Sequence, residues 1–208
     1  MDFLPVRAEL KGKQLFLQNV TNYIQVARAA AQFGLDRGVD ISVPRVGDPC
    51  LSSGLKGLLE IFRDYTVQVI PGISSTQIAA ALARINLDES VVVSFHDYGD
   101  PELKKLGLLN MYRLGRHVIA LASPDLMPNQ LAEWLIQQGV EAGTRMAVYS
   151  SLTLPEETHT EGTLREIAGR EFFWLSVSVV YNKNAPGAYE DYAQWVRWRE
   201  QQGLPHVS

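Results

Sequence analysis

Val46-Gly47-Asp48-Pro49 and, further along, Val69-Ile70-Pro71-Gly72-Ile73-Ser74-Ser75 are the two stretches on which the reading turns. Each closes an apolar run (Ile41, Val43 and Val46; Val67, Val69 and Ile70) and precedes an amphipathic one. Each therefore reads as a loop that leaves a strand and enters a helix. In open α/β sheets such loops gather at the carboxyl edge, where small molecules bind. Proline sets the turn, glycine lets backbone approach a ligand, and serine hydroxyls with helix-start amides supply donors.

Outward from these loops, the chain alternates apolar runs with helical periods. Leu15-Phe16-Leu17 reads as a short strand, and a helix capped by Asn19 or Thr21 runs through Tyr23, Ile24, Ala27, Ala30 and Ala31 to a stop at Gly34. Residues 41–46 read as a strand, although Pro44 removes a ladder donor. Leu55, Leu58, Leu59 and Phe62 fall on one helical face; residues 66–70 and 91–95 read as strands around a helix that turns Ile78, Ala81, Leu82 and Ile85 to a core. Alternating strands and helices imply parallel strands with right-handed crossovers, an α/β first domain. Further on come strands at 117–121, 145–149 and 174–180, and helices at 128–138 and 164–168, a second, mixed α/β domain. The boundaries are 1–98, a connecting segment 99–116, 117–181, and an aromatic helix and tail at 182–208. In that tail Tyr189, Tyr192, Trp195, Val196 and Trp198 read as a docked apolar stripe. Residues 1–13 read as an irregular lead-in.

Composition narrows the function classes. With 208 residues, 46% hydrophobic and 20% charged, the chain suits a globular fold with a sizeable core. The net charge of -4 and the absence of a basic run argue against nucleic acid, and no apolar run approaches a membrane span. The N-terminus has no signal pattern, and Cys50, the single cysteine, has no internal disulfide partner, so a reducing cytoplasm is the expected location. Cys50 lacks a neighbouring histidine and reads as a packed residue rather than a nucleophile. Asn19-Val20-Thr21 matches a glycosylation acceptor that would be idle in that compartment. The histidines His96, His117, His159 and His206 show no metal spacing, and His159 with Glu156-Glu157 reads as a polar surface loop. His96 follows the run 91–95 directly, and stands either as a substrate contact or as a satisfied structural histidine.

From about residue 41 to 180 the chain resembles the tetrapyrrole methylase family, S-adenosylmethionine-dependent enzymes that methylate corrin precursors. The resemblance is to its cobalt-precorrin-7 (C5)-methyltransferase branch, also described as the N-terminal half of precorrin-6Y methylase. It rests on the two loops with Ser53-Gly54-Leu55 and Gln77, on Ser94-Phe95-His96 with Gly99, on Met127-Pro128-Asn129, and on Leu152-Thr153-Leu154-Pro155-Glu156-Glu157. It implies two α/β domains with a cofactor cleft between them and a C-methyltransferase of cobalamin synthesis. Cofactor contacts fall by resemblance on Val46, Gly47, Asp48, Leu51, Ser74, Ser75, Ala122 and Ser151. Asp48 has the alternative role of a turn or cap carboxylate.

His96 and Arg84 are the candidate substrate contacts. A polycarboxylate substrate asks for a cationic patch, to be sought among Arg45, Arg84, Lys104, Lys105, Arg113 and Arg116. The resemblance further implies a homodimer and a separate enzyme that methylates C15 and decarboxylates an acetate chain. Members of the family usually open with an apolar strand and a Gly-x-Gly-Pro-Gly loop, and no Gly-Pro-Gly stands in this chain. The alternatives are therefore a truncated, non-catalytic relative that binds cofactor or tetrapyrrole, or a methylase of the same fold with another substrate.

Overall fold

A computed structural model describes residues 10–19, 21–52, 54–96, 99–185 and 192–204. The chain divides into two compact units, Met1–Gly72 and Ile73–Ser208. The sequence reading drew its boundary after residue 98; the contacts divide the chain at Gly72.

The elements described in the first unit are two helices. Helix α1 (Tyr23–Arg37) buries Ala27, Ala30, Ala31 and Gly34. Asn19 organises its start by accepting from the amides of Thr21 and Asn22. The helix continues past the stop expected at Gly34, because that glycine serves packing. A β-carbon there would lie 2.2 Å from the Tyr65 hydroxyl and 2.8 Å from Ile41 Cγ1. Helix α2 (Leu55–Ile61) adds Leu58, and the adjacent Phe62 completes a small core with Ala27 and Ala31, lined by Ile41, Val43 and Tyr65. Leu59, expected on the same inward face, is 39% exposed.

The strands expected at 15–17, 41–46 and 66–70 do not form. Their apolar patterns are real, but no described neighbour offers a ladder, and an extended segment without a partner is not a strand. Val46 and Ile70 are consequently among the more exposed large apolar residues, at 80% and 73%.

The second unit begins with helix α3 (Ser75–Ala83) and a 3₁₀ turn, Leu87–Glu89. Strand β1 (Ser90–Ser94), helix α4 (Pro101–Arg113) and strand β2 (His117–Leu121) follow. Then come helix α5 (Pro128–Gln137), strands β3 (Arg145–Ser150) and β4 (Thr158–Thr163), helix α6 (Leu164–Ala168), strand β5 (Ser176–Val180) and helix α7 (Tyr192–Gln201). The sheet order is β1-β2-β5-β3-β4. Only β1 and β2 are parallel; β5 is antiparallel to both β2 and β3, and β4 is antiparallel to β3. The residue 91–95 run thus belongs to the same sheet as the later strands, not to a parallel sheet with 66–70.

One sheet face carries Val118, Ala120, Met146, Val148 and Val180, which pack with Leu108 and Leu109 of α4, Leu131 and Leu135 of α5, and Leu164 and Ile167 of α6. At about 25 cal/mol per Å² of buried apolar surface, this cluster is the main stabilising mass of the unit. Helix α4 occupies the stretch read as a connecting segment, and its two buried leucines make it part of that core. Helix α3 packs on β2 and β5. Its buried residues are Thr76, Ala79, Ala80 and Ala83, while Ala81 and Leu82 are exposed. The expected face is therefore turned about: small side chains let the helix approach the sheet closely, and the larger Leu82 points away.

Strand β4 was not expected. Its Thr-His-Thr-Glu-Gly-Thr sequence lacks an apolar face because it is an edge strand, half solvated. His159 is therefore a strand residue, stacked on Tyr149 with ring centroids 4.7 Å apart. Trp198 on α7 is 40% exposed; Tyr189, and the side chains of Tyr192 and Trp195, lie outside the described residues, as do Ser53, His206 and residues 1–9 of the lead-in. No described helix is long and apolar enough to cross a membrane.

Candidate functional site

In the first unit, the stretch from Val46 to Leu51 is a tight loop. Gly47 sits at φ 75°, a left-handed conformation that suits glycine, and the Leu51 amide donates to the Asp48 carbonyl at 3.1 Å. The Asp48 carboxylate accepts from the Cys50 amide at 2.6 Å and, across 24 positions, from the Gly72 amide at 3.2 Å. These N–H groups, Cys50 first, hold its pKa below the usual carboxylate range against the opposing effect of desolvation. Gly72 touches the loop closely enough that a β-carbon would stand 2.4 Å from the Gly47 carbonyl oxygen. Cys50 is exposed, not packed as its lack of a partner had suggested. Loss of solvent around the thiol and the neighbouring Asp48 push its pKa up, which disfavours the nucleophilic thiolate.

In the second unit, strand directions bring several candidates to one end of the sheet. β1, β2 and β3 finish there, while β4 and β5 begin there, as their parallel and antiparallel pairings require. Ala122, just past β2, is buried and donates its amide to the Ser176 carbonyl at 3.0 Å. Ser151, just past β3, is buried at φ 53° and donates to the Leu175 carbonyl at 2.9 Å. The hydroxyls of Ser150 and Ser176 lie 2.7 Å apart. His96 lies at the same end, with its ring hydrogen-bonded to the Ala122 backbone and 5.9 Å from the Trp174 ring. Desolvation lowers its pKa, and the Ala122 bond opposes that, so the neutral imidazole is favoured near pH 7.

Ser74 is the N-cap of α3: its hydroxyl accepts from the Gln77 amide, and Gln77 Oε1 accepts from the Ser74 amide at 2.7 Å. Its hydroxyl also meets that of Thr76 at 2.7 Å. Ser75 is the first residue of the helix. Arg84 stands at the other end of α3, about 13 Å away along a nine-residue helix, and is not brought to Ser74 and Ser75.

The other cations separate by task. Arg113 donates to the Gln138 carbonyl, Arg116 to that of Asp88, and Lys105 pairs with Glu102 beneath the Trp134 ring. Arg45 lies 6.0 Å from the Tyr23 ring centroid. Lys104 reaches the end of β1, with Nζ 2.8 Å from the Ser94 carbonyl, and desolvation lowers its pKa. Lys104 and His96 therefore both lie at the Ser94 end of β1. An open recess of about 700 Å³ adjoins Ser151, lined also by Thr158, Thr160, Arg170 and Phe173. The strand expected at 174–180 starts at Ser176, so Phe173 and Trp174, with ring centroids 5.7 Å apart, stand ahead of it at this end of the sheet.

The chain thus combines a Gly-Asp-Pro loop tied to a Pro-Gly loop with a mixed five-stranded α/β unit whose polar turns gather at one sheet end. Residues 8–168 match the family described as Tetrapyrrole (Corrin/Porphyrin) Methylases, and the chain belongs to it. The chain is 36% identical over 143 residues to a probable cobalt-precorrin-7 C(5)-methyltransferase of Methanocaldococcus jannaschii, a match spanning 67% of this chain and 64% of that protein. Among solved structures it resembles the methyltransferase CobJ, with a TM-score of 0.62, 21% identity, and coverage of 77% of this chain and 71% of that one. It also resembles uroporphyrin-III C-methyltransferase from Thermus thermophilus in complex with S-adenosylhomocysteine, with a TM-score of 0.55, 18% identity, and coverage of 77% and 74%.

Proposed function

We propose that this chain is an S-adenosylmethionine-dependent C-methyltransferase that acts on a corrin precursor in cobalamin synthesis, at C5 of cobalt-precorrin-7. The observation that carries the reading is the family match joined to 36% identity with a protein of that description. Features within each unit support the reading. Gly47 and Gly72 offer backbone without side chains, Leu51 offers a half-buried apolar contact, and Ala122 and Ser151 are small residues at the sheet end.

When bound, S-adenosylmethionine supplies a methyl already activated on a sulfonium. The protein's residues then need to orient rather than to activate. Positioning of this kind lowers barriers by on the order of 7 to 11 kcal/mol in favourable cases. We assign cofactor contact to Val46, Gly47, Leu51, Ser74, Ser75, Ala122 and Ser151, with Asp48 on the same loop. Lys104 is assigned to the substrate's acidic rim, its ammonium at the end of β1 suiting carboxylate groups, and His96 to a substrate contact beside it. Arg84 is the weakest of the substrate assignments because of its place at the far end of α3. The reading entails a cytoplasmic homodimer and a separate enzyme for methylation at C15 and decarboxylation.

Calorimetric titration of the purified chain with S-adenosylhomocysteine tests the first half, with saturable one-per-chain binding expected. Incubation of the chain with S-adenosylmethionine and cobalt-precorrin-7, followed by NMR location of the new methyl, tests the second. A folded chain without binding overturns the cofactor assignment; a methyl on another carbon overturns the C5 assignment.

A further inference from the structure

The two loops of the first unit are joined by one side chain. Asp48 Oδ1 accepts from the Cys50 amide within its own loop, and Oδ2 accepts from Gly72 in the other. Gly72 is meanwhile pressed against the Gly47 carbonyl, with no room for a β-carbon. A carboxylate drawing Gly72 inward and a carbonyl stopping its approach together leave one spacing between the loops. Both carboxylate oxygens are engaged by backbone donors, the arrangement expected of a group that shapes a loop.

We propose that Asp48 is a positioning residue, which fixes the Gly-Asp-Pro loop at its contact distance from Gly72 and acts on cofactor binding through the backbone of Gly47 and Gly72 rather than by touching the cofactor. The inference rests on the assignment of this loop to the cofactor made above. It distinguishes Asp48 from its loop neighbours Val46, Gly47 and Leu51. An asparagine at this position keeps the shape but has one acceptor oxygen for two amides, and its own NH₂ faces the second. An alanine at position 72 leaves Asp48 intact and forces the same loops apart.

A double-mutant cycle separates the two roles. S-adenosylhomocysteine binding is measured by calorimetry for the native full chain, Asp48→Asn, Gly72→Ala and the double variant. Each single variant is expected to bind about tenfold or more weakly, from the loss of one charge-assisted hydrogen bond or of the close contact. The double variant is expected to bind no more weakly than Gly72→Ala alone, because both changes release the same constraint. Multiplicative losses, or native affinity in Asp48→Asn, overturn the proposal. A readout independent of any ligand accompanies the cycle: Asp48→Asn should speed amide hydrogen exchange at Gly72 by about tenfold while α1 amides are unchanged. Unchanged exchange at Gly72 overturns the tie even in a chain that binds no cofactor, whereas fast exchange with no native binding faults the cofactor assignment alone.

Discussion

Gly34→Ala sets two effects of opposite sign against each other. In an exposed helix interior, alanine is favoured over glycine by about 1 kcal/mol. In α1 the new β-carbon would lie 2.2 Å from the Tyr65 hydroxyl, 2.8 Å from Ile41 Cγ1 and 3.0 Å from the Val39 carbonyl. The hydroxyl cannot retreat freely, because it donates to the Ala31 carbonyl at 2.6 Å. Overpacking of this kind costs about 1 to 3 kcal/mol, and loss of the hydrogen bond a further ~0.5 to 1.5 kcal/mol. The balance is a net destabilisation of about 1 to 3 kcal/mol. Tyr65→Phe removes the closest of the three contacts, so the double variant is expected to be less destabilised than the sum of the single ones. Urea unfolding followed by circular dichroism, with amide exchange along α1 to locate the effect, measures both. A Gly34→Ala chain as stable as the native one, or more so, would refute the steric account of this glycine.

Three further outcomes follow from other parts of the molecule. His117 Nδ1 accepts from the Asn182 amide at 2.9 Å, and desolvation lowers its pKa while Glu89 opposes the shift. Its stabilising contribution is therefore full above the unfolded value of about 6.5 and is lost as pH falls from there through the lower folded value; melting temperatures measured between pH 7.5 and 5.5 should fall more steeply for the native chain than for His117→Asn, and equal slopes would count against it. Leu135→Ala removes a fully buried side chain from the sheet–helix core and should cost about 2 to 5 kcal/mol in denaturant unfolding. Thr163→Ala deletes the capping box of α6, in which Glu166 accepts from the Thr163 amide at 2.7 Å and Thr163 receives the Glu166 amide, and should cost about 1 kcal/mol in the same assay.

The second unit was readable where pattern and environment agree. β2 at His117–Leu121 and α6 at Leu164–Ala168 lie where the sequence reading put them, because each is bounded by local chemistry: Gly115 before the strand, and Thr163 with Glu166 at the helix start. Ala122, expected at the end of a strand, and Ser151, expected in the loop after the next, stand one residue past β2 and β3. Reading failed where partners decide. Residues 41–46 and 66–70 carry valine and isoleucine at strand spacing, yet a ladder is a property of two segments and no described one answers them. Strand β4 was missed for the opposite reason, since an edge strand paired to Arg145–Ser150 has no need of an apolar face. On α3 periodicity put Ala81 and Leu82 inward, whereas the helix packs on the sheet through Thr76, Ala79, Ala80 and Ala83. Asp48 was legible as a turn carboxylate, but its bond to Gly72 spans 24 positions and belongs to tertiary structure.

The position of β5 bears on how the protein is made. This strand is inserted between β2 and β3 and is buried along its whole length, so those two strands are joined only through residues 176–180. A ribosome releasing the chain from its N-terminus delivers α3, β1, β2, β3 and β4 first, as two ladders with a gap between them. The sheet closes only once residues 176–180 have emerged, through contacts that link residues some 60 positions apart in the case of Val118 and Val180. An interruption before β5 would leave the facing edges of β2 and β3 both unpaired, a state that invites pairing with other nascent chains.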